Sequence, residues 1–304
     1  KFTESAYKTS AGLHGVGASV TNALSEYCDV TVYRDGKIHH LRFENGGRLV
    51  VPLEIVGNTN RHGTLVTFKP DAKIFSTIDF KWDTICNHLQ ESAFLLKKVH
   101  FYVVDERNGL SEDFFYEDGL SQYIGVINQN KEPMSDIISF DDVYNSSDRN
   151  NNLEPIQMEL AMQYCNGDYG ETVLSYVNNV RTHDGGTHET GLRMGLTRAV
   201  NDFAVDNSLL RGKMKLEGGD IREGLTAIIS LRIPEEILEF EGQTKGKLGT
   251  PDAMTAVNNF VYTNLTYYLK EHHEFAVSLI KKCIDAQNAR LAARKAKDEA
   301  RKSK

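Results

Sequence analysis

Three glycines fall within the six residues Gly12-Leu13-His14-Gly15-Val16-Gly17, immediately before a helix-like run. Without a Cβ in the way, backbone N–H groups can approach a ligand closely. A helix start adds unpaired N–H groups and partial positive charge. The chemistry expected of such a segment is phosphate binding. The order G-x-x-G-x-G is not the dinucleotide fingerprint, and no Gly-Lys-Ser/Thr follows as in a P-loop. The competing reading is a plain glycine-rich turn. Just upstream, Lys1 and Lys8 could neutralise a triphosphate as point charges, and Tyr7 could pack on or bond to a base; alternatively this is a solvated segment. Far downstream, Gln243-Thr244-Lys245 is flanked by Gly242 and Gly246. A lysine at the tip of such a loop could meet a terminal phosphate, against the bland alternative of an exposed lysine.

A further cluster spans residues 178–189 and includes His183, Asp184, His188 and Glu189. The two histidines are five apart across a Gly-Gly turn, which fits no zinc spacing. A structural corner is expected instead, with Asp184 or Thr187 capping the following helix. The four cysteines, Cys28, Cys86, Cys165 and Cys283, form no C-x-x-C pair, so they read as buried thiols in a reducing compartment. No apolar run reaches membrane-span length and no signal-peptide pattern opens the chain. No membrane association and a cytoplasmic location are therefore expected.

The net charge of −7 argues against uniform coating of nucleic acid. It is unevenly distributed: residues 288–304 carry +5 and the remainder −12. An acidic body with a basic end suits a local DNA contact through Arg290, Arg294, Lys295 and Lys297; the alternative is a solvated helix end.

These residues must be held by an α/β framework. Helical spacing predicts helices over 14–26, 83–97 and 187–206 and from about 251 onward. Strands are expected over 29–33, 38–43, 63–68, 99–104, 153–164, 171–180 and 225–233. In the helix over 187–206, Leu192, Leu196, Ala199 and Phe203 share one face. Polar, Gly-containing turns around 105–120 mark a domain boundary, giving domains 1–117 and 118–304.

Taken together, these segments resemble the gyrase B family, the ATPase (B) subunits of bacterial type II topoisomerases. Lys1-Phe2 and residues 7–20 (YKTSAGLHGVGASV) look like its lid and phosphate loop. Residues 178–189 (NNVRTHDGGTHE), 220–226 (DIREGLT) and 241–249 look like its later signatures, in the right order. The runs RIPEEILEFEGQTKGKLGT and LQESAFLLKK resemble the topoisomerase IV branch more than the gyrase branch.

The resemblance implies a two-domain α/β (α+β) chain. Its first domain would be the C-terminal part of a GHKL, or Bergerat-type, ATPase sandwich. Its second would be a ribosomal S5 domain 2-like transducer with a long basic C-terminal helix. It implies ATP wrapped by Gly12, Leu13, His14, Gly15, Val16 and Gly17, with Tyr7 on adenine and Lys8 and Lys1 nearby. Thr64 would sit beneath the adenine, and Gln243 and Lys245 would meet the γ-phosphate. Ala11 departs from the glycine usual in the family. The family's general-base glutamate, magnesium-binding asparagine and adenine-binding aspartate precede the lid. The chain is thus expected to be an N-terminally truncated piece, with background ATP hydrolysis alone and no metal ligand of its own for Mg2+. The implied partners are DNA, the topoisomerase A subunit in an A2B2 heterotetramer, and a second B subunit through the N-terminal gate. The alternative is a nucleotide-gated clamp of the same ATPase superfamily, of the mismatch-repair or chaperone kind, without strand passage.

Overall fold

The computed structural model describes residues 9, 12, 15–148, 150–210, 212 and 214–302. The chain divides into two compact units, Gly12–Cys86 and Asn87–Lys304.

The first unit opens with α1 (Gly17–Ala23) and continues through β1 (Ser25–Arg34), β2 (Lys37–Glu44), β3 (Arg48–Asn58) and β4 (Gly63–Pro70). The strands form an antiparallel sheet in the order β3-β2-β1-β4. Asp35 and Gly36, both at positive φ, make the tight β1–β2 turn that suits the twist of a two-residue hairpin. The helix expected to run to residue 26 stops at Ala23, because Ser25 and Tyr27 already pair with β4. β3 was not expected from the pattern. It carries Pro52, which a strand tolerates at a sheet edge, and β3 is an edge strand.

Helix α2 (Trp82–Leu95) runs through the division. The second unit continues with β5 (Phe101–Asp105), β6 (Leu110–Phe114), α3 (Leu120–Ile127), β7 (Glu132–Pro133), β8 (Ile138–Ser147), β9 (Leu153–Asn166), β10 (Thr172–Val177) and β11 (Val180–Arg181). Then come α4 (Thr187–Asp206), α5 (Gly218–Arg222), β12 (Leu225–Arg232), β13 (Phe240–Glu241), β14 (Lys247–Leu248), α6 (Pro251–Glu271) and α7 (His273–Lys302). The main sheet runs β11-β10-β12-β9-β7 with β8 also on β9, and only β10 and β12 pair in parallel. Its core includes Leu160, Met162, Ile228 and Leu231, and the helices contribute Leu192, Leu196, Ala199, Val257 and Phe260, all buried.

The strand expected over 171–180 is broken. Asn178 and Asn179 both take positive φ, and Val177 pairs back with Val180, the signature of a type I′ turn. Asn178 is buried; its side chain accepts from Ile233 N–H and donates to Ile233 O, at 2.8 and 2.9 Å. The boundary expected at 117/118 lies inside the second compact unit. Phe94 of α2 stacks on Tyr116 and on Tyr123 of α3, with ring centroids 3.8 and 4.5 Å apart. That aromatic stack ties the polar turns to both α2 and α3.

The basic tail is the exposed end of α7, except for Arg290. Its guanidinium turns inward and donates to both oxygens of Asp220 at 2.8 and 2.9 Å, with Glu217 at 3.0 Å. Asp220 is almost wholly buried, and a buried carboxylate left without its partner is strongly destabilising. Arg290→Ala should lower the melting temperature by roughly 5–10 °C, whereas exposed Arg294→Ala should leave it within about 2 °C. Equal melting curves would place Arg290 with the solvated tail, as the sequence pattern suggested.

Candidate functional site

Gly15 adopts φ 63° and leads through Val16 into α1. Among the described residues no side chain caps the helix at its N-cap, Val16, so the N–H groups of its first turn can serve other acceptors. Gly12 and Gly17 are exposed. Lys1, Tyr7, Lys8, Ala11, Leu13 and His14 lie outside the described residues.

Thr64 is the second residue of β4, opposite Val32. By strand alternation it shares a face with Val66 and Phe68. Across that same face lies α1: Ala18, Thr21 and Asn22 line a groove with Cys28, Val30, Phe43, Val66 and Phe68. The helix opened by the glycine loop and Thr64 are therefore on the same face of the first unit's sheet, with Val66 and Phe68, not Thr64, lining the groove beside α1. The opposite face is polar, with Asp29 bonded to His40 and Arg42, and Arg42 over the Tyr27 ring. Val16 and Val20 are both exposed.

In the second unit, Gln243 and Lys245 occupy the loop between β13 and β14. Gly242 has φ 84° and Lys245 φ 56°, the latter sparsely populated by residues other than glycine. Lys245 N–H donates to Gly242 O at 3.4 Å.

The corner at residues 182–188 does not cap α4 with Asp184 or Thr187. The N-cap is Gly186, without a side-chain bond, and the Thr187 hydroxyl donates instead to Thr250 O at 2.7 Å. Asp184 N–H donates to Gly246 O at 2.9 Å, and Leu248 N–H donates to Gly185 O at 3.0 Å. His188 turns into the core against the Thr182 hydroxyl at 2.9 Å, and Glu189 accepts from Ser175 and Arg193. Burial pushes the His188 imidazole down to about 3. The sequence carries no local sign that this corner and the loop of Lys245, some sixty residues apart, are hydrogen-bonded to each other.

Residues 119–299 match the family model for DNA gyrase B. Among curated relatives, the B subunit of DNA topoisomerase 4 from Bacillus subtilis (strain 168) is 51% identical over 305 residues, covering 100% of this chain and 45% of that protein. The Staphylococcus epidermidis protein of the same name is 49% identical over 297 residues, covering 96% and 43%. The chain thus spans under half the length of the curated relatives it matches. Among solved structures, the 43K ATPase domain of Thermus thermophilus gyrase B, in complex with an aminocoumarin, superposes with TM-score 0.75 at 34% identity over 94% of this chain and 75% of that one. The topoisomerase IV ATP-binding domain of Francisella tularensis, in complex with a small-molecule inhibitor, gives TM-score 0.74 at 28% identity over 91% and 73%. The mixed α/β build expected from the sequence is the one these structures share with the chain.

Proposed function

The chain belongs to the DNA gyrase B family, and we propose that it is the ATP-binding and transducing region of a topoisomerase IV-type B subunit, coupling ATP binding and hydrolysis to DNA strand passage. Residues 1–117 are assigned to the nucleotide-binding domain and 118–304 to the transducer. The observation that carries the nucleotide reading is the first unit's geometry: an uncapped helix start entered through a left-handed glycine, lying across the sheet face that bears Thr64. Such a start offers N–H groups to phosphate oxygens, and the apolar face beside it offers a surface for a base.

In this reading Gly12, Leu13, His14, Gly15, Val16 and Gly17 hold the triphosphate, with Tyr7, Lys8, Lys1 and Thr64 around the nucleoside. Gln243 and Lys245 meet the γ-phosphate. Magnesium enters only as what the resemblance implies, and no residue is assigned to it. Among the described residues no three His, Cys, Asp or Glu side chains converge on one point. DNA, a topoisomerase A subunit and a second B subunit are the partners. The exposed cations Arg294, Lys295, Lys297 and Arg301 of α7 remain for phosphate contacts once Arg290 is committed to Asp220. No helix among the described residues is long and apolar enough to cross a membrane. The whole-chain likeness to topoisomerase 4 B subunits favours strand passage over the related clamp function.

Lys245 gives the reading its test. A lysine that binds the phosphate lost on hydrolysis interacts differently with the ATP and ADP states, which is what a ligand needs to shift a conformational population. A charge-assisted hydrogen bond contributes about 1.5–3 kcal/mol. In the complete subunit, Lys245→Ala should therefore lower ATP turnover about ten- to a hundredfold while sparing much of the ADP affinity. Lys245→Arg should not restore it fully, since a planar fork does not replace a compact ammonium. Wild-type turnover in the alanine variant would remove Lys245 from the site.

A further inference from the structure

The loop of Lys245 is joined to the corner at 184–187 by a continuous set of short-range contacts. Asp184 N–H bonds Gly246 O, Leu248 N–H bonds Gly185 O, Gly186 and Leu248 form a parallel bridge, and the Thr187 hydroxyl bonds Thr250 O. Thr250 is itself buried and ties back to the strand before the loop: its hydroxyl accepts from Glu239 N–H at 2.9 Å, and Gly249 N–H donates to Glu239 O at 2.8 Å. Each facing segment has a glycine at the point of closest approach, Gly186 on the corner and Gly246 on the loop. A Cβ on Gly186, whose φ is +139°, would stand 2.6 Å from Leu248 N; one on Gly246 would stand 2.6 Å from Asp184 Oδ2. The C-terminal limb of the loop is thus laid along the corner from residue 246, one residue after Lys245, to residue 250. On its other side Lys245 is closed by its own bond to Gly242 O.

We propose that Asp184, Gly185, Gly186 and Thr187 are positioning residues for Lys245. They hold the limb that follows it in one backbone geometry before any nucleotide is present. A five-residue loop that begins and ends on glycine would otherwise have to be ordered, residue by residue, each time the lysine engaged a phosphate. Ordering it during folding removes that penalty from the binding step. It also fixes the backbone point from which the ammonium reaches, a step towards the preorganised charge that electrostatic stabilisation of a phosphate requires. The corner opens α4, so the lysine's position is set by the α4 layer of the fold rather than by the loop's own sequence.

The proposal rests on the reading that Lys245 meets the γ-phosphate, and the test separates the two. In the complete subunit, ATP turnover, ADP affinity and thermal unfolding are measured for Gly186→Ala, for Lys245→Ala and for the double variant. Thr187→Val, which removes only the bond to Thr250 O, serves as the gentler second probe. Gly186→Ala is expected to lower turnover roughly tenfold with ADP affinity changed less than about twofold. Its effect should vanish in the Lys245→Ala background, because two residues acting through one contact are not additive. Thr187→Val should show the same pattern with a smaller loss, and it decides the matter if Gly186→Ala does not fold. If the losses persist undiminished in the Lys245→Ala background, or if both corner variants turn over ATP normally while Lys245→Ala does not, the positioning role is overturned and the Lys245 reading stands. Normal turnover in Lys245→Ala overturns that reading and the positioning role with it.

Discussion

Gly191→Val is expected to destabilise the chain by about 3 kcal/mol or more. Helices α4 and α6 cross where Gly191 and Gly195 stand one turn apart, on one face of α4. A Cβ at Gly191 would lie 2.5 Å from Met254 O and 3.0 Å from Val257 Cβ. At Gly195 it would lie 2.8 Å from both Asn258 O and Val261 Cβ. These neighbours are main-chain atoms and β-branched stems, which cannot rotate away, so the helices would have to separate. Separation would uncover Leu192, Leu196, Val257 and Val261, all fully buried. Glycine inside a helix is about 1 kcal/mol worse than alanine, so two of them in one helix are offset by the close approach they allow. Gly219 of α5 is the control: nothing lies within 4 Å of a Cβ there, and Gly219→Ala should be neutral or stabilising by up to about 1 kcal/mol. Urea unfolding followed by far-ultraviolet circular dichroism reads both. Coincident midpoints for Gly191→Val and Gly219→Ala would show that the crossing tolerates a side chain.

Acid should destabilise the chain through the buried imidazole of His188. His188 is fully buried, with its Nε2 on the Thr182 hydroxyl and its Nδ1 without a hydrogen-bond partner. Whichever tautomer the ring holds, Nδ1 is the nitrogen without a partner. Protonating it would bury an uncompensated charge. Burial therefore holds His188 at about 3 in the folded chain, against about 6.5 when exposed. Between those values the unfolded chain binds a proton that the folded chain refuses. Stability is fully present above about pH 6.5 and falls by about 1.4 kcal/mol for each unit below it, down to about pH 3. From pH 7.5 to 4.5 the loss from this residue should be roughly 2–3 kcal/mol. His188→Gln, which cannot charge, should abolish that part of the slope even if it is less stable at neutral pH. Denaturant midpoints at the two pH values for both proteins measure it, and parallel pH profiles would show that His188 titrates normally.

Both predictions concern α4, whose apolar face was legible from spacing alone. Leu192, Leu196, Ala199 and Phe203 are all buried, as their periodicity required. The β1–β2 hairpin was equally plain, because Asp35-Gly36 sits between two alternating runs and takes the positive φ such a turn needs. These features are local: a few neighbouring residues decide them. The edge strand β3 and the turn at Asn178-Asn179 were not legible in the same way. Pro52 argues against a strand until one knows that the strand lies at an edge. Asn178 is turned by the main chain of Ile233, which no window around residue 178 contains.

The candidate site divides along the same line. Residue types and order alone pointed to a phosphate loop at residues 12–17, to a lysine on a glycine-flanked loop and to the gyrase B family, since backbone access and charge are properties of short segments. Tertiary structure decided that α1 lies over the face of Thr64, that Arg290 leaves the basic tail to pair with Asp220, and that His188 is core. It also decided that the Asp184-Gly185-Gly186 corner grips the limb after Lys245 instead of capping its own helix. Each of these depends on a contact or a burial that the neighbouring residues do not set, and such features leave no periodicity in the chain for the sequence to display.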